Sequence, residues 1–288
     1  MKLQFTKMHG AGNDFIVIDA ISQDVSQLSK EDWIFLAHRQ FGIGADQILL
    51  VESPTTPQAD FRYRIFNHDG SEVEQCGNGS RCFVTFVREK GLTHKSEIQV
   101  EVAHTIITLS ALEDHRVRVN MGSPIFDHTL IPFQPNALEC RPLGPITEYL
   151  LPLSDSSIWI TPLSMGNPHA VQFVENIDAA TVCETGPSIE NHLAFPKRVN
   201  AGFVEVIDRH RLKVRVFERG SGETLSCGTG ACAAVVSSIL KNDVDSPVIV
   251  ETTGGVLEIA WDFIHHGLDA EVMMTGPAMK VFDGSIDL

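Results

Sequence analysis

Apolar and polar positions alternate through most of this chain, and only a few segments repeat at helical spacing. A period of two, with one face buried and the other wet, predicts strands over residues 3–7, 15–19, 46–52, 61–66, 98–102, 106–112 and 117–121. A helix is predicted from Ser29 through Gln40, with Ser29 as N-cap and Asp32 in an acidic first turn. A second fits residues 80–90 and stops at Gly91. Residues 124–152 are proline-rich with little periodicity, and read as a linker. The same grammar then resumes. Strands fit 158–161, 170–174, 199–207, 212–217, 248–251, 256–260 and 268–273, and a helix of small residues fits 230–241.

The resumption is an internal repeat. Offset by 151 residues, Arg64-Ile65-Phe66 falls on Arg215-Val216-Phe217, Glu72 on Glu223, Cys76 on Cys227, Gly77 on Gly228 and Gly79 on Gly230. A pattern E-x3-C-G-x-G therefore occurs twice, each time between a strand and a helix. The other cysteines do not align: Cys82 maps to Ala233, and Cys232 to Arg81. Cys82, Cys140, Cys183 and Cys232 are accordingly expected to be packed, unreactive thiols.

Composition narrows the partners. At 288 residues and 43% hydrophobic, the chain has the size of one large or two medium domains and too much apolar content for disorder. No stretch approaches the ~18 apolar residues of a membrane span, and MKLQFTKMHG lacks a secretory core, so a soluble cytoplasmic protein is expected. Lys+Arg 22 against Asp+Glu 37 gives −15, which disfavours nucleic acid and anionic membrane. The densest basic run, RHRLKVR at 209–215, alternates like one solvated strand face. The six cysteines include no C-x2-C pair, so neither a zinc site nor a disulfide framework is expected, and no metal.

Two matched thiols at helix starts suggest a specific chemistry. A helix N-terminus favours thiolate, which predicts lowered thiol pKa values there, and the following Gly-x-Gly can turn backbone N–H groups onto a carboxylate. In two similar halves related by a pseudo-two-fold axis, such loops face each other across a cleft. One thiolate can then remove a proton beside the carboxylate while the opposite thiol returns one, inverting the centre. That is racemase or epimerase chemistry. A dinucleotide site is the other formal match, since residues 228–233 satisfy G-x-G-x-x-A with Glu251 beyond. The strand it requires just before the first glycine ends at Phe217, ten residues early. The G-x-S-x-G elbow of a serine hydrolase is absent.

The segments KMHGAGNDF (7–15), GADQ (44–47), FNHDGSEVEQCGNGSRC (66–82), MGNPHAV (165–171), RVNAGF (198–203) and ERGSGETLSCGTGACA (218–233) closely resemble the diaminopimelate epimerase family. They run in family order along essentially the whole chain. His68, Ser80 and Ser226 stand where the family commonly has alanine. The resemblance implies a mixed α/β (α+β) fold of two pseudo-symmetric domains, each a mostly antiparallel sheet or barrel around a central helix. The domains would be residues 1–125 with 278–288, and 126–277, with the active site between them. It further implies a homodimeric, cofactor-independent isomerase that interconverts LL- and meso-2,6-diaminopimelate for lysine and peptidoglycan synthesis. By the same resemblance Cys76 and Cys227 are the acid/base pair, and His169 and Glu218 take and give their protons. Asn13, Gln47, Asn67, Asn167, Asn200, Glu218 and Arg219 would bind substrate, with Gly77, Asn78, Gly228 and Thr229 offering backbone N–H groups to the reacting carboxylate. Phe282 stands where relatives often carry tyrosine at the subunit contact.

The closest competing activity is proline or hydroxyproline racemisation on the same fold. The asparagine set and Glu218-Arg219 argue against it, because a small ring has no distal ammonium and carboxylate to anchor. A thiol-based redox or metal-binding protein is disfavoured by the cysteine spacing.

Overall fold

Period-two segments become strands, and two helices buried on nearly every side become the axes around which they wrap. The computed structural model describes residues 1–73, 77–103, 105–154 and 156–288. The chain divides into two compact units, residues 1–120 with 275–288, and residues 121–274.

The first unit begins with β1 (Lys2–Gly10), β2 (Asn13–Asp19), α1 (Lys30–Ala37), β3 (Gln47–Glu52) and β4 (Phe61–Asn67). It continues with β5 (Glu72–Val73), α2 (Gly77–Glu89), β6 (Glu97–Val102), β7 (Thr105–Ala111) and β8 (Val117–Asn120). Neighbouring strands pair antiparallel except β2 with β3 and β4 with β6, which run parallel. Ser29 caps α1 in a reciprocal capping box with Asp32. The helix ends at Ala37, short of Gln40, because His38 takes an extended backbone and Gly42 turns in tightly against the Phe35 carbonyl. Residues 77–84 of α2 are all buried, as are Phe86 and Val87. A helix enclosed on all sides occupies a core, and α2 packs against β1, β2, β3, β7 and β8.

The second unit contains β9 (Cys140–Leu143), β10 (Ile146–Pro152), β11 (Ser157–Ser164), β12 (Pro168–Phe173), α3 (Val182–Glu190), β13 (Asn200–Asp208) and β14 (Arg211–Glu218). Then come β15 (Gly222–Thr224), α4 (Gly228–Leu240), β16 (Val248–Thr252) and β17 (Gly255–Trp261), and the division between the units falls within β18 (Val272–Gly276). Its pairing repeats the first unit's grammar: β12 with β13 and β14 with β16 are parallel, and their neighbours antiparallel. Its buried axis is α4, which packs against β11 to β14, β16 and β17. The last strand, β19 (Met279–Asp287), pairs antiparallel with β1 from Lys2↔Asp287 to His9↔Met279.

Two expectations are corrected. Residues 124–152 are not a linker: β9 and β10 form a hairpin that extends the sheet at β11, and Ile131, Phe133, Tyr149 and Leu151 enter a core cluster. Helix α3 went unforeseen because Pro187 lies inside it and removes a backbone donor. Among the described residues, no helix is long and apolar enough to cross a membrane.

Candidate active site

In the first unit the anticipated residues lie at the starts of β2 and β3, at the end of β4 and at the head of α2. Gly12 (φ +87°) turns the chain immediately before Asn13, a conformation glycine adopts without steric cost. The Asn13 Nδ2 donates to Asp46 Oδ2 at 3.0 Å, and Asn78 Nδ2 reaches Asn13 Oδ1 at 3.4 Å. Gln47 and Asn67 face each other across β3 and β4, joined by Gln47 Nε2 to Asn67 Oδ1 at 3.0 Å. Gly77 and Asn78 are the first residues of α2, and both are buried. Cys76 lies outside the described residues.

The second unit assembles the rest. Gly166 (φ +88°) precedes Asn167, whose Oδ1 accepts from His169 Nε2 at 3.0 Å. Because that oxygen is an acceptor, Nε2 carries the proton and Nδ1 keeps its lone pair. His169 is fully buried, and burial, helped by the Arg219 charge, lowers its pKa to about 3, so the ring is neutral. Asn200 sits beside His169 in the parallel register; it donates to Pro168 O at 2.8 Å and accepts from Arg219 N at 2.9 Å. The Arg219 guanidinium is exposed and donates to Lys197 O at 3.3 Å.

Cys227 is the N-cap of α4, and its sulfur accepts from Gly230 N at 3.4 Å. Thr229 Oγ1 lies 3.5 Å from that sulfur. The position matches expectation and the acidity does not. Burial first, and then the neighbouring Glu218 charge, push the Cys227 thiol well above its ordinary pKa, outweighing the Thr229 and Gly230 contacts. The helix terminus alone predicted the opposite sign. Glu218, at the end of β14, is itself held by Thr224 Oγ1. Gly230 is required here, since a Cβ would stand 2.7 Å from Val216 Cγ2 and 3.3 Å from the Cys227 sulfur.

Strand register makes the repeat three-dimensional within each unit. Phe15 pairs with Gln47 as His169 pairs with Asn200, which makes Asn13 the counterpart of Asn167 and Gln47 that of Asn200. The 151-residue offset adds Asn67 and Glu218 as a further pair. Both units also keep the same bidentate clasp. Arg64 grips Glu72 at 2.8 and 2.7 Å, and Arg215 grips Glu223 at 2.6 and 3.0 Å, tying β4 to β5 and β14 to β15 a few residues before each cysteine.

Comparison with known proteins gives the chain a family. A sequence profile described as diaminopimelate epimerase matches residues 5–126 and 161–281. The chain is 56% identical over 288 residues to a diaminopimelate epimerase of Cupriavidus pinatubonensis, covering 100% of this chain and 98% of that one. The chain belongs to the diaminopimelate epimerase family. A diaminopimelate epimerase of Ralstonia pickettii is 54% identical, with 100% and 97% covered. Among solved structures, a Bacillus anthracis phenazine biosynthesis protein of the PhzF family superposes with a TM-score of 0.71 at 17% identity over 100% of both chains. A hydroxyproline epimerase from Agrobacterium vitis gives 0.69 at 15%, over 99% and 92%. These two likenesses concern the fold.

Within this diaminopimelate epimerase-family chain, sequence reasoning passed over several residues that hold the site. Arg81 is fully buried one turn into α2, donating to Asn78 Oδ1 at 2.7 Å and to Pro277 O at 3.1 Å. Asp14, Asp46, Lys7 and Arg39 form an ionic cluster beneath Asn13. The signal was available, because both aspartates lie inside quoted motifs, next to residues already assigned. The Ser80 hydroxyl shares a buried hydrogen bond with the Tyr63 hydroxyl at 2.7 Å. Cys82 and Cys232 are buried as expected, whereas Cys140 and Cys183 are exposed, which corrects the expectation that they pack. The Cys183 thiol donates to Glu223 at 3.1 Å. In the basic run 209–215 each arginine and lysine has an acidic partner: Asp245 for Arg209, Glu251 for Arg211, Asp178 for Lys213 and Glu223 for Arg215.

Proposed function

We propose that this protein interconverts LL- and meso-2,6-diaminopimelate by two-base proton transfer, with Cys76 and Cys227 as the acid/base pair, each contributed by one epimerase domain. The observation that carries the reading is a thiol at a helix N-cap beside a carboxylate, in a motif the chain contains twice. Burial and Glu218 keep Cys227 protonated, so in the resting enzyme Cys227 is the acid and Cys76 the thiolate. The Cys76 thiolate takes the α-proton and becomes a thiol. Cys227 delivers its proton to the opposite side of the same carbon and becomes a thiolate, and in the reverse direction the roles exchange. His169 and Glu218 are the groups that exchange protons with the two thiols, as the family resemblance implies.

An α-proton beside a carboxylate is weakly acidic, and the developing charge needs preorganised donors. Gly77, Asn78, Gly228 and Thr229, at the heads of α2 and α4, supply backbone N–H groups to that carboxylate. Asn13, Gln47, Asn67, Asn167, Asn200 and Arg219 hold the remaining ammonium and carboxylate ends, with Arg219 clamping the distal carboxylate. Two such chains form a homodimer through β19, where Met279, Val281 and Phe282 are exposed. The product supplies lysine and peptidoglycan precursors in the cytoplasm.

The test is epimerisation in deuterium oxide under reducing conditions, for wild type, Cys76→Ala and Cys227→Ala. Expected are deuterium at one α-carbon with wild type and inversion lost in both variants. No exchange by folded, reduced wild type, or turnover of proline in its place, would refute the substrate.

A further inference from the structure

We propose that Asp46 is a positioning residue of this site, fixing the Asn13 amide so that its oxygen faces the head of α2, with Arg39 clamping Asp46 in place. The inference rests on the reading of Asn13 as a substrate ligand. A side-chain amide presents a donor end and an acceptor end of nearly equal shape, so a binding asparagine needs something to choose between them. An ionised carboxylate can only accept. Asp46 Oδ2, 3.0 Å from Asn13 Nδ2, therefore commits the NH2 end downward and leaves Oδ1 directed at Asn78 Nδ2. Asn78 is held in turn by the buried Arg81. The amide orientation thus passes from Asp46 through Asn13 to the first turn of α2, directly after Cys76.

Asp46 is held from three sides. Its Oδ1 accepts from Arg39 Nη2 at 2.7 Å, its Oδ2 also accepts from Asp14 N at 3.2 Å, and its own N–H donates to Asp14 Oδ1 at 2.8 Å. These reciprocal bonds bracket the starts of the parallel strands β2 and β3, one residue before the Phe15↔Gln47 pair. Two carboxylates this close repel unless cations intervene. Arg39 forks onto both Asp14 oxygens at 3.0 and 2.9 Å, and Lys7 bonds Asp14 at 2.5 Å and also the Gly44 carbonyl. Burial raises the Asp14 pKa, but the bonds from Arg39, Lys7 and Asp46 N–H outweigh it and hold the carboxyl well below the ordinary range. Asp14 therefore stays ionised throughout neutral pH.

Steady-state kinetics with LL-diaminopimelate test this on the full-length protein, in Asp46→Ala, Asp46→Asn, Arg39→Met, Asn13→Ala and the Asp46→Ala/Asn13→Ala double variant. A misplaced binding amide weakens ground state and transition state alike, so KM rises while kcat holds. Expected are a KM increase of about tenfold or more in Asp46→Ala and a smaller one in Arg39→Met, with kcat within about threefold of wild type. In the double variant, Asp46→Ala should add nothing to Asn13→Ala. Unchanged KM in the Asp46 and Arg39 variants while Asn13→Ala raises it would overturn the inference and leave the site reading intact. So would multiplying effects in the double variant. Unchanged KM in Asn13→Ala would overturn the assignment of Asn13, and the inference with it. Should Asp46→Ala fail to fold, Asp46→Asn and Arg39→Met carry the same comparison.

Discussion

His169 shows how far a residue's place in a motif determines its chemistry. MGNPHAV marked the histidine, but not that it would be fully buried, singly bonded and neutral. Its counterpart in the first unit is Phe15, also fully buried, so the fold needs only an apolar ring at this register and the second unit has put a titratable one there. The folded-state pKa is depressed from 6.5 to about 3. Within that window the unfolded chain binds a proton that the folded chain refuses. The neutral ring's contribution is therefore fully present above about pH 6.5 and lost as pH falls toward 3, at up to ~1.4 kcal/mol per pH unit. Denaturant unfolding at pH 7 and pH 5 should show wild type losing about 2 kcal/mol more than His169→Phe. Equal losses would mean that the ring is solvated when folded. Cys227 carries the same lesson. Its N-cap position was legible from Gly-x-Gly spacing, whereas its protonation depends first on burial and then on Glu218, brought beside it by the β14–β15 turn.

At the scale of elements, periodicity located both central helices and most long strands to within a few residues, though neither β10 nor β19. It failed where local chemistry argued against the structure that tertiary packing stabilises. The hairpin of β9 and β10 holds Pro142 and Pro152, and α3 holds Pro187, so each read as irregular until its apolar side chains found a core. The head of α4 illustrates the converse, where a glycine's absent side chain leaves room that packing requires. At Gly230 a methyl group would meet Val216 on β14 and the Cys227 sulfur at once. Backbone and sulfur would both shift, and overpacking of this kind costs about 1–3 kcal/mol. Gly230→Ala should thus lower stability by about that much and reduce exchange in deuterium oxide by at least about tenfold, since an ångström of misplacement suffices. Thermal unfolding and isotope incorporation on one preparation separate the two effects. Normal exchange in a destabilised variant would show that the sulfur tolerates movement.

For the whole molecule, the repeated E-x3-C-G-x-G pattern and its offset imply two similar halves, and the chain divides into two compact units. Self-association is implied only by the family resemblance, because no alternation distinguishes an exposed apolar strand face from a buried one. On β19, Phe282 rests edge-on against Phe5 at 5.9 Å, yet remains 47% exposed beside the more exposed Met279 and Val281. Burying these side chains against a second copy would remove apolar area from water at about 25 cal/mol per Å2. Each copy also brings a formal charge of −15, so long-range repulsion opposes the apolar contact. The two contributions differ in salt dependence. Screening shortens the reach of charge from roughly 30 Å at ~0.01 M salt to about 8 Å at ~0.15 M, while apolar burial is little affected. Sedimentation at micromolar concentration should therefore show a dimer that tightens from low to physiological salt, and Phe282→Asp should raise its Kd by about tenfold or more, since it removes the ring and adds like charge. Weakening with salt would point to an interface of ion pairs elsewhere on the surface. Monomer alone at every salt concentration would remove the dimer from the proposed function.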